Sequence, residues 1–333
     1  MYERKYNFVI FGSNDDFYRA AYFDLMNLDY VRYIGASMQC RCKLINAIFR
    51  LHTSPKVNKH IRLPFKNIYN RFYFRNDFAR DYPICFLFFG YLRGKILDWG
   101  YYRYIKKYYP NAKLVCFFQD LVSSNTNLIL DKFRKYFDLI LSFDHEDAEK
   151  YELIYYPLVY SKGCPFRLSD NYSKSDVFFA GKAKNRLNEI ISTYEKLSEA
   201  GLNCDFHVID AIGEKPYSKQ IDYCSLMPYD AYLGRLKATH CVLELMQHGG
   251  HGYTLRTNEA IVYRKKLLSN NPELLKAPFY HPSYILVFNN PDEIDTRFIK
   301  AQIDSINYAY AEQLSPLALL SFIENKLTTE GEL

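Results

Sequence analysis

Apolar and polar positions along the chain switch between two periods. Short apolar runs at residues 6–11, 83–89, 113–118 and 137–143 have the length of strands, and between them lie stretches with helical spacing such as 92–109. Uninterrupted apolar runs suit strands covered on both faces, and their alternation with helices predicts a parallel α/β sheet. The first run ends in Gly12-Ser13-Asn14-Asp15-Asp16, a turn that opens a helix near Phe17, and the third ends in Gln119-Asp120. The fourth leads into Asp144-His145-Glu146-Asp147, an acidic helix start that suits the positive end of a helix dipole.

Between residues 155 and 175 the pattern breaks. Pro157, Gly163, Pro165 and a polar run from Ser169 to Ser175 predict a linker over 161–175. The alternation then restarts, with strands at 176–180, 204–209 and 241–246, a helix at 185–200 ended by Gly201, and another from about Tyr229. A glycine-rich turn, a short helix and a basic strand ending at Asn270 follow, and an amphipathic helix closes the chain at about 314–327. The expected organisation is α/β throughout: a doubly wound domain at 1–160, a second at 176–310, and a C-terminal helical segment at 311–333.

Composition narrows the class. The 333 residues suffice for two cores, and no window approaches the roughly 18 to 20 apolar residues of a membrane span. The start, Met-Tyr-Glu-Arg-Lys-Tyr-Asn, leads into one short apolar run rather than a signal peptide, so a cytoplasmic protein is expected. The eight cysteines are scattered, several inside apolar runs, and Cys40 and Cys42 have no second pair at zinc-site spacing, which favours reduced structural thiols.

The net charge of +6 hides an asymmetry. From Arg32 to Lys113 there are 17 basic residues and three acids, and residues 65–109 hold 16 Phe and Tyr plus Trp99. Cations among rings suit an anionic membrane face or a nucleic acid, while the plain alternative is core rings with a solvated charged rim. No RNA-binding signature is present, so the membrane is the expected partner and nucleic acid is not.

Residues 249–263, Gly-Gly-His-Gly-Tyr-Thr-Leu-Arg-Thr-Asn-Glu-Ala-Ile-Val-Tyr, carry the most chemistry. A turn with Gly250 and Gly252 before a helix is expected to aim backbone N–H groups at an anion such as a diphosphate. Arg256 adds a charge-assisted contact, and Glu259 is placed to hold a sugar hydroxyl. His248 and His251 flank the glycines without a third ligand nearby, so no metal is expected there.

Taken with Phe178-Phe179-Ala180-Gly181-Lys182-Ala183-Lys184-Asn185-Arg186, the strand around Asp205 and Phe206, Gly252-Tyr253-Thr254-Leu255-Arg256 with Glu259-Ala260, and Lys265-Lys266, the chain resembles the GT-B glycosyltransferases. More narrowly it looks like the bacterial enzymes of capsule, O-antigen and exopolysaccharide synthesis. The resemblance implies two Rossmann-like domains facing each other across a cleft, with the C-terminal helix packing back across it. It implies a nucleotide-sugar donor on the second domain and a saccharide or polyprenyl-diphosphate-linked acceptor on the first, at the inner face of the cytoplasmic membrane. Gly181, Lys182 and Arg186 would lie under the donor phosphates; cations at a helix start oppose its dipole and are unexpected without an anion, although a solvated face is the bland alternative. Met227 and Tyr229 would frame the base, and Gly250, Gly252, Tyr253, Thr254, Arg256 and Glu259 would complete the donor site.

One departure from the family bears on mechanism. Retaining members carry two glutamates with seven residues between them; the second matches Glu259, and His251 stands where the first would be. Histidine cannot supply the same fixed negative charge, which favours inversion. Inversion needs a base at a strand end of the first domain, where Asp120 and then Asp15 are the candidates, each equally explicable as a helix cap. No Asp-x-Asp occurs, so no metal or other cofactor is expected. Two other classes remain open at this level: a non-catalytic nucleic-acid or polyanion binder using the basic half, and a two-domain sugar-binding protein, against which the absent leader and the cysteines count.

Overall fold

The computed structural model describes residues 4–35, 38, 40, 42–61, 63–90, 100–122, 130, 134–247, 251–308 and 314–329. The chain forms two compact units, residues 1–156 with 319–333, and residues 157–318. Each contains a six-stranded sheet in which all neighbouring strands run parallel.

In unit 1 the main elements are β1 (Asn7–Gly12), α1 (Asp16–Ala21), β2 (Val31–Gly35), α2 (Lys43–Thr53), β3 (Ile84–Phe89), α3 (Tyr101–Tyr108), β4 (Lys113–Phe118), β5 (Leu139–Ser142), α4 (His145–Lys150) and β6 (Ile154–Tyr155). The sheet order is β2-β1-β3-β4-β5-β6. β1 and β3 are buried at every position, as the unbroken Phe, Val, Ile, Leu and Cys runs require of strands covered on both faces. Asp144 caps α4, its Oδ1 accepting the Asp147 N–H at 2.9 Å. α3 is the C-terminal part of the helix expected over 92–109; residues 91–99 lie outside the described set.

The C-terminal helix returns to unit 1 from Leu319 onward. Its Glu324, 1% exposed, accepts the backbone N–H groups of Lys5 and Tyr6 at 3.1 and 3.0 Å, just before β1 begins. Removing that carboxylate takes the partner from one buried and one partly buried N–H. Glu324→Ala is therefore expected to destabilise unit 1 by about 1–3 kcal/mol, and urea unfolding followed through Trp99 fluorescence would measure it.

Unit 2 contains β7 (Ser175–Lys182), α5 (Leu187–Glu199), β8 (Cys204–Ile209), β9 (Asp222–Cys224), α6 (Tyr229–Ala238), β10 (Thr239–Glu244), α7 (Leu255–Val262), β11 (Lys266–Ser269), β12 (Ile285–Val287) and α8 (Thr296–Lys300). Its sheet runs β12-β11-β10-β7-β8-β9. Side chains of β7 alternate between two cores, Val177 and Phe179 meeting Ile190, Tyr194 and Leu197 of α5, and Phe178 and Ala180 meeting Tyr232, Leu233 and Leu236 of α6. Period 2 in the strand and period 3.6 in the helices thus build one layer on each face.

The segment 161–175 is packed into unit 2 rather than spanning freely as a linker. Cys164, Phe166 and Leu168 lie against its core, and the Tyr172 ring comes so close to α6 that a Cβ on Gly234 would stand 2.2 Å from it. Apolar side chains hidden in a polar, proline-containing run are what the composition masked. The boundary accordingly falls at Tyr156/Pro157.

Candidate functional site

β7, the first strand of unit 2, has β8 on one side and β10 on the other, so the winding of the sheet reverses between β7 and β10. In open parallel sheets, ligands bind outside the carboxyl ends of such a pair. β7 ends at Lys182 and β10 at Glu244, and the side chains of Arg186 and Arg256 converge there.

Gly181 lies where the two side chains converge. A Cβ at that position would stand 3.3 Å from Arg186 Nη2, from Arg256 Nη2 and from Phe179 Cζ. Arg186 Nη1 donates to the Leu245 carbonyl, and its Nε and Nη2 reach the Lys182 carbonyl at 3.3 and 3.2 Å. Arg256 Nη2 donates to the Ala180 carbonyl, and its guanidinium lies 5.5 Å from the centroid of the Phe179 ring. Strand-end carbonyls carry partial negative charge and hold both cations without neutralising them.

Two neighbouring guanidinium groups repel each other, and one is out of water. Burial, with the Arg256 charge beside it, pushes Arg186 down to about 10. Arg256 is opposed by burial but held up by Tyr232, Glu259 and Glu244. Arg186 is 8% exposed and Arg256 half-buried. Such a pair is suited to a multiply charged anion, which relieves the repulsion and offers two forks a bidentate partner.

The turn behaves differently from the expectation. The Gly252 N–H donates to Glu273 Oε2 at 2.7 Å, and His251 Nδ1 lies 3.5 Å from Glu273 Oε1. Thr254 caps α7, its Oγ1 accepting from Arg256 N and Thr257 N at 3.1 and 3.4 Å. Among the described residues, the Gly252, Arg256 and Thr257 N–H groups are thus engaged within the protein, by a glutamate and a threonine. Gly250, with His248 and Gly249, lies outside the described residues.

Glu244 at the end of β10 is the centre of a polar knot. Glu244, fully buried, accepts from the hydroxyls of Thr254 and Thr257 on Oε1 and of Ser269 on Oε2. The Thr257 bond is 2.8 Å and the Ser269 bond 2.5 Å. It ties β10, β11 and the start of α7 together, and so sets where Arg256 projects.

Glu259 is 2% exposed, and its two oxygens accept the hydroxyls of Tyr229 and Tyr232. It offers no surface to a sugar hydroxyl, which corrects the role expected for it. Burial pushes its carboxyl up to about 7, against the opposing pull of the two tyrosines and Arg256. Tyr229 is correspondingly drawn inward, stacked 5.4 Å from Tyr232 and 3.0 Å from the Tyr160 hydroxyl, rather than presenting its hydroxyl to a base. Met227 packs half-buried against the same core, and Tyr253 lies edge-on to Phe279 at 4.9 Å.

Of the remaining candidates, Lys182 pairs with Asp210 at 2.9 Å, both about half exposed, at the ends of β7 and β8. Asp15 precedes α1 without a side-chain cap bond, its Oδ2 accepting from the Ser13 hydroxyl. Asp120 is exposed just beyond β4. β1 and β4 are separated by β3, so the two aspartates belong to strands roughly 10 Å apart. A histidine network not anticipated from the sequence lies across β8 and β9: His207 places its two ring nitrogens 2.8 Å from Asp205 and from Asp222, and Arg235 holds Asp205 with both oxygens. His207, Asp222 and Cys224 form the group among the described residues whose ligand atoms lie close enough to share a metal ion, within 4.8 Å of one another.

No family model and no curated protein matches the chain. Solved structures similar to it include an alpha-glucosyltransferase in complex with UDP and a 13-mer DNA, at 10% identity and a TM-score of 0.49, covering 96% of this chain and 93% of that one. Another is the glycosyltransferase of kitacinnamycin, at 8% identity, a TM-score of 0.44 and coverage of 98% and 100%. A third is a UDP-forming trehalose-phosphate synthase from Burkholderia xenovorans, at 10% identity, a TM-score of 0.44 and coverage of 94% and 85%. Likenesses at this level carry no weight for chemistry.

Proposed function

We propose that the chain is a metal-independent glycosyltransferase that moves a sugar from a nucleotide-sugar donor to a saccharide or lipid-linked saccharide acceptor in bacterial surface-polysaccharide synthesis, with inversion. The observation that supports this most is the convergence of Arg186 and Arg256 on Gly181 at the switch point of unit 2. In this reading the two guanidinium groups bind the donor diphosphate and stabilise the charge that grows on it as the leaving group departs. Lys182 adds a third, exposed cation at the same edge.

The reaction is a single displacement. The acceptor oxygen forms a bond to the anomeric carbon as the bond from that carbon to the phosphate oxygen breaks; the electron pair leaves with the nucleoside diphosphate. The hydroxyl proton passes to a carboxylate, and Asp120 is our choice for it, with Asp15 the reserve. An aspartate base that does not touch the donor predicts a split effect: Asp120→Asn loses transfer by about 10²–10⁴-fold while nucleotide affinity stays within about twofold, in paired turnover and calorimetric measurements. Equal turnover in a folded Asp120→Asn protein would pass the role to Asp15.

Titration calorimetry with UDP, GDP and their sugars tests the donor reading directly. Binding in the micromolar range is expected, as for a site with two charge-assisted forks. If no nucleoside diphosphate or nucleotide sugar binds, the reading falls.

A further inference from the structure

α2 packs on unit 1 through Ile45 and Phe49, the latter edge-on to Tyr69 at 4.9 Å. Its adjacent face is exposed. Leu44, Ile48 and Leu51, spaced i, i+4 and i+7, are 69%, 50% and 65% exposed, and no residue of the helix is buried. Aliphatic and aromatic exposure continues beyond the helix at Ile61, Phe65 and Ile68. Exposed apolar side chains gathered on one helix face mark a place that something covers.

Charge says what kind of cover. From Lys43 to Arg75 the chain has eight Lys and Arg and no Asp or Glu, and Lys43, Arg50, Lys56, Lys59 and Arg71 are exposed. A groove of about 1490 Å³ opens beside Phe65, lined by Lys66, Arg71, Arg103 and Lys107 among rings. An aliphatic stripe flanked by cations is the pattern of a helix that lies in a bilayer interface, with leucines in the acyl boundary and lysine and arginine at the phosphates. A nucleic acid would use the cations and rings but has no use for exposed Leu44, Ile48 and Leu51.

We infer that α2 and the basic groove beside it seat the protein on an anionic phospholipid surface. The inference deepens the lipid-linked acceptor reading and rests on it for its purpose, but on unit 1 alone for its chemistry. No helix among the described residues is long and apolar enough to cross a membrane, so the contact is peripheral.

The test is co-sedimentation of the full chain with phosphatidylglycerol/phosphatidylethanolamine vesicles, with phosphatidylcholine vesicles and single-stranded DNA as comparators. Binding at least about tenfold tighter to the anionic vesicles is expected, with partial retention at high salt. The triple variant Leu44→Gln, Ile48→Gln, Leu51→Gln should lose at least about tenfold of it while circular dichroism stays unchanged, since all three side chains already stand in water. Absence of vesicle binding, undiminished binding by the triple variant, or binding to DNA instead of vesicles would each overturn the inference. Nucleotide binding, measured separately on unit 2 residues, tells its failure from failure of the donor reading.

Discussion

Arg256→Ala is expected to weaken nucleoside diphosphate binding by about 1.5–3 kcal/mol, which is about 10- to 150-fold in Kd. Arg256 presents a fork toward Gly181 from a half-buried position beside the Phe179 ring, and an anion there loses one of its two charge-assisted partners when the fork is removed. Arg186→Ala should weaken binding to a similar degree, and the double variant should lose less than the sum, because both cations act on one ligand. Arg256→Lys separates charge from geometry: a lysine keeps the charge but not the bidentate fork, so intermediate binding is expected. Calorimetry across the four proteins checks all of this. Unaltered affinity in folded single variants would remove the pair from the donor site. In the absence of ligand the same variants should be destabilised less than their lost hydrogen bonds suggest, because each also removes the Arg186–Arg256 repulsion that acts beside burial to lower Arg186 to about 10.

The second large effect is a pH-dependent stability that belongs to Glu259. Its folded-state pKa is raised to about 7 from an ordinary 4.5, mainly by burial. A raised carboxyl pKa means that the folded state prefers the protonated form. The stabilisation is therefore complete below about pH 4.5, declines as pH rises through 7, and is gone above it. The span corresponds to about 3 kcal/mol. Glu259→Gln keeps the shape and cannot ionise, so its stability relative to the parent protein should improve by about that amount between pH 4.5 and 8. Urea unfolding of both proteins at those two pH values would show it. A difference that does not change with pH would mean that the carboxyl ionises normally, and that Tyr229 and Tyr232 stabilise its charged form.

Glu259 also illustrates why a role inferred from motif position can fail in a particular chain. Its spacing from Arg256 places it one helical turn away, and the resemblance assigned it a sugar contact. In the structure that turn is roofed by Tyr229 and Tyr232, whose hydroxyls take both oxygens. Neither tyrosine is near Glu259 in sequence, and nothing in residues 249–263 signals them. Gly252 follows the same logic: its N–H is claimed by Glu273, 21 positions on.

Strand content was legible from the amino acids wherever strands are central. β1, β3, β4, β5, β7, β8, β10 and β11 all appear as apolar runs or as an alternation resuming after the polar segment, with ends within a few residues of those observed. The four strands absent from the sequence reading, β2, β6, β9 and β12, are the four sheet edges. An edge strand has one neighbour and a partly wet face, so its residues need not form an apolar run: β2 reads Val-Arg-Tyr-Ile-Gly, and β6 and β9 have no buried position. Strand order, and with it the switch point between β7 and β10, follows from which of these strands pair, and pairing leaves no local mark.

By itself, then, the sequence determined two α/β units, their central strands, the basic aromatic character of the first half and the presence of Gly181, Arg186 and Arg256 near strand ends. Those properties are local: they depend on periodicity, propensity and side-chain charge within a few residues. Only the tertiary structure decided that Arg186 and Arg256, 70 positions apart in sequence, meet over Gly181, that Glu259 and the Gly252 N–H are already engaged, and that Leu44, Ile48 and Leu51 face outward. Each of those outcomes depends on what a distant segment places opposite a residue, and a one-dimensional pattern carries no record of that.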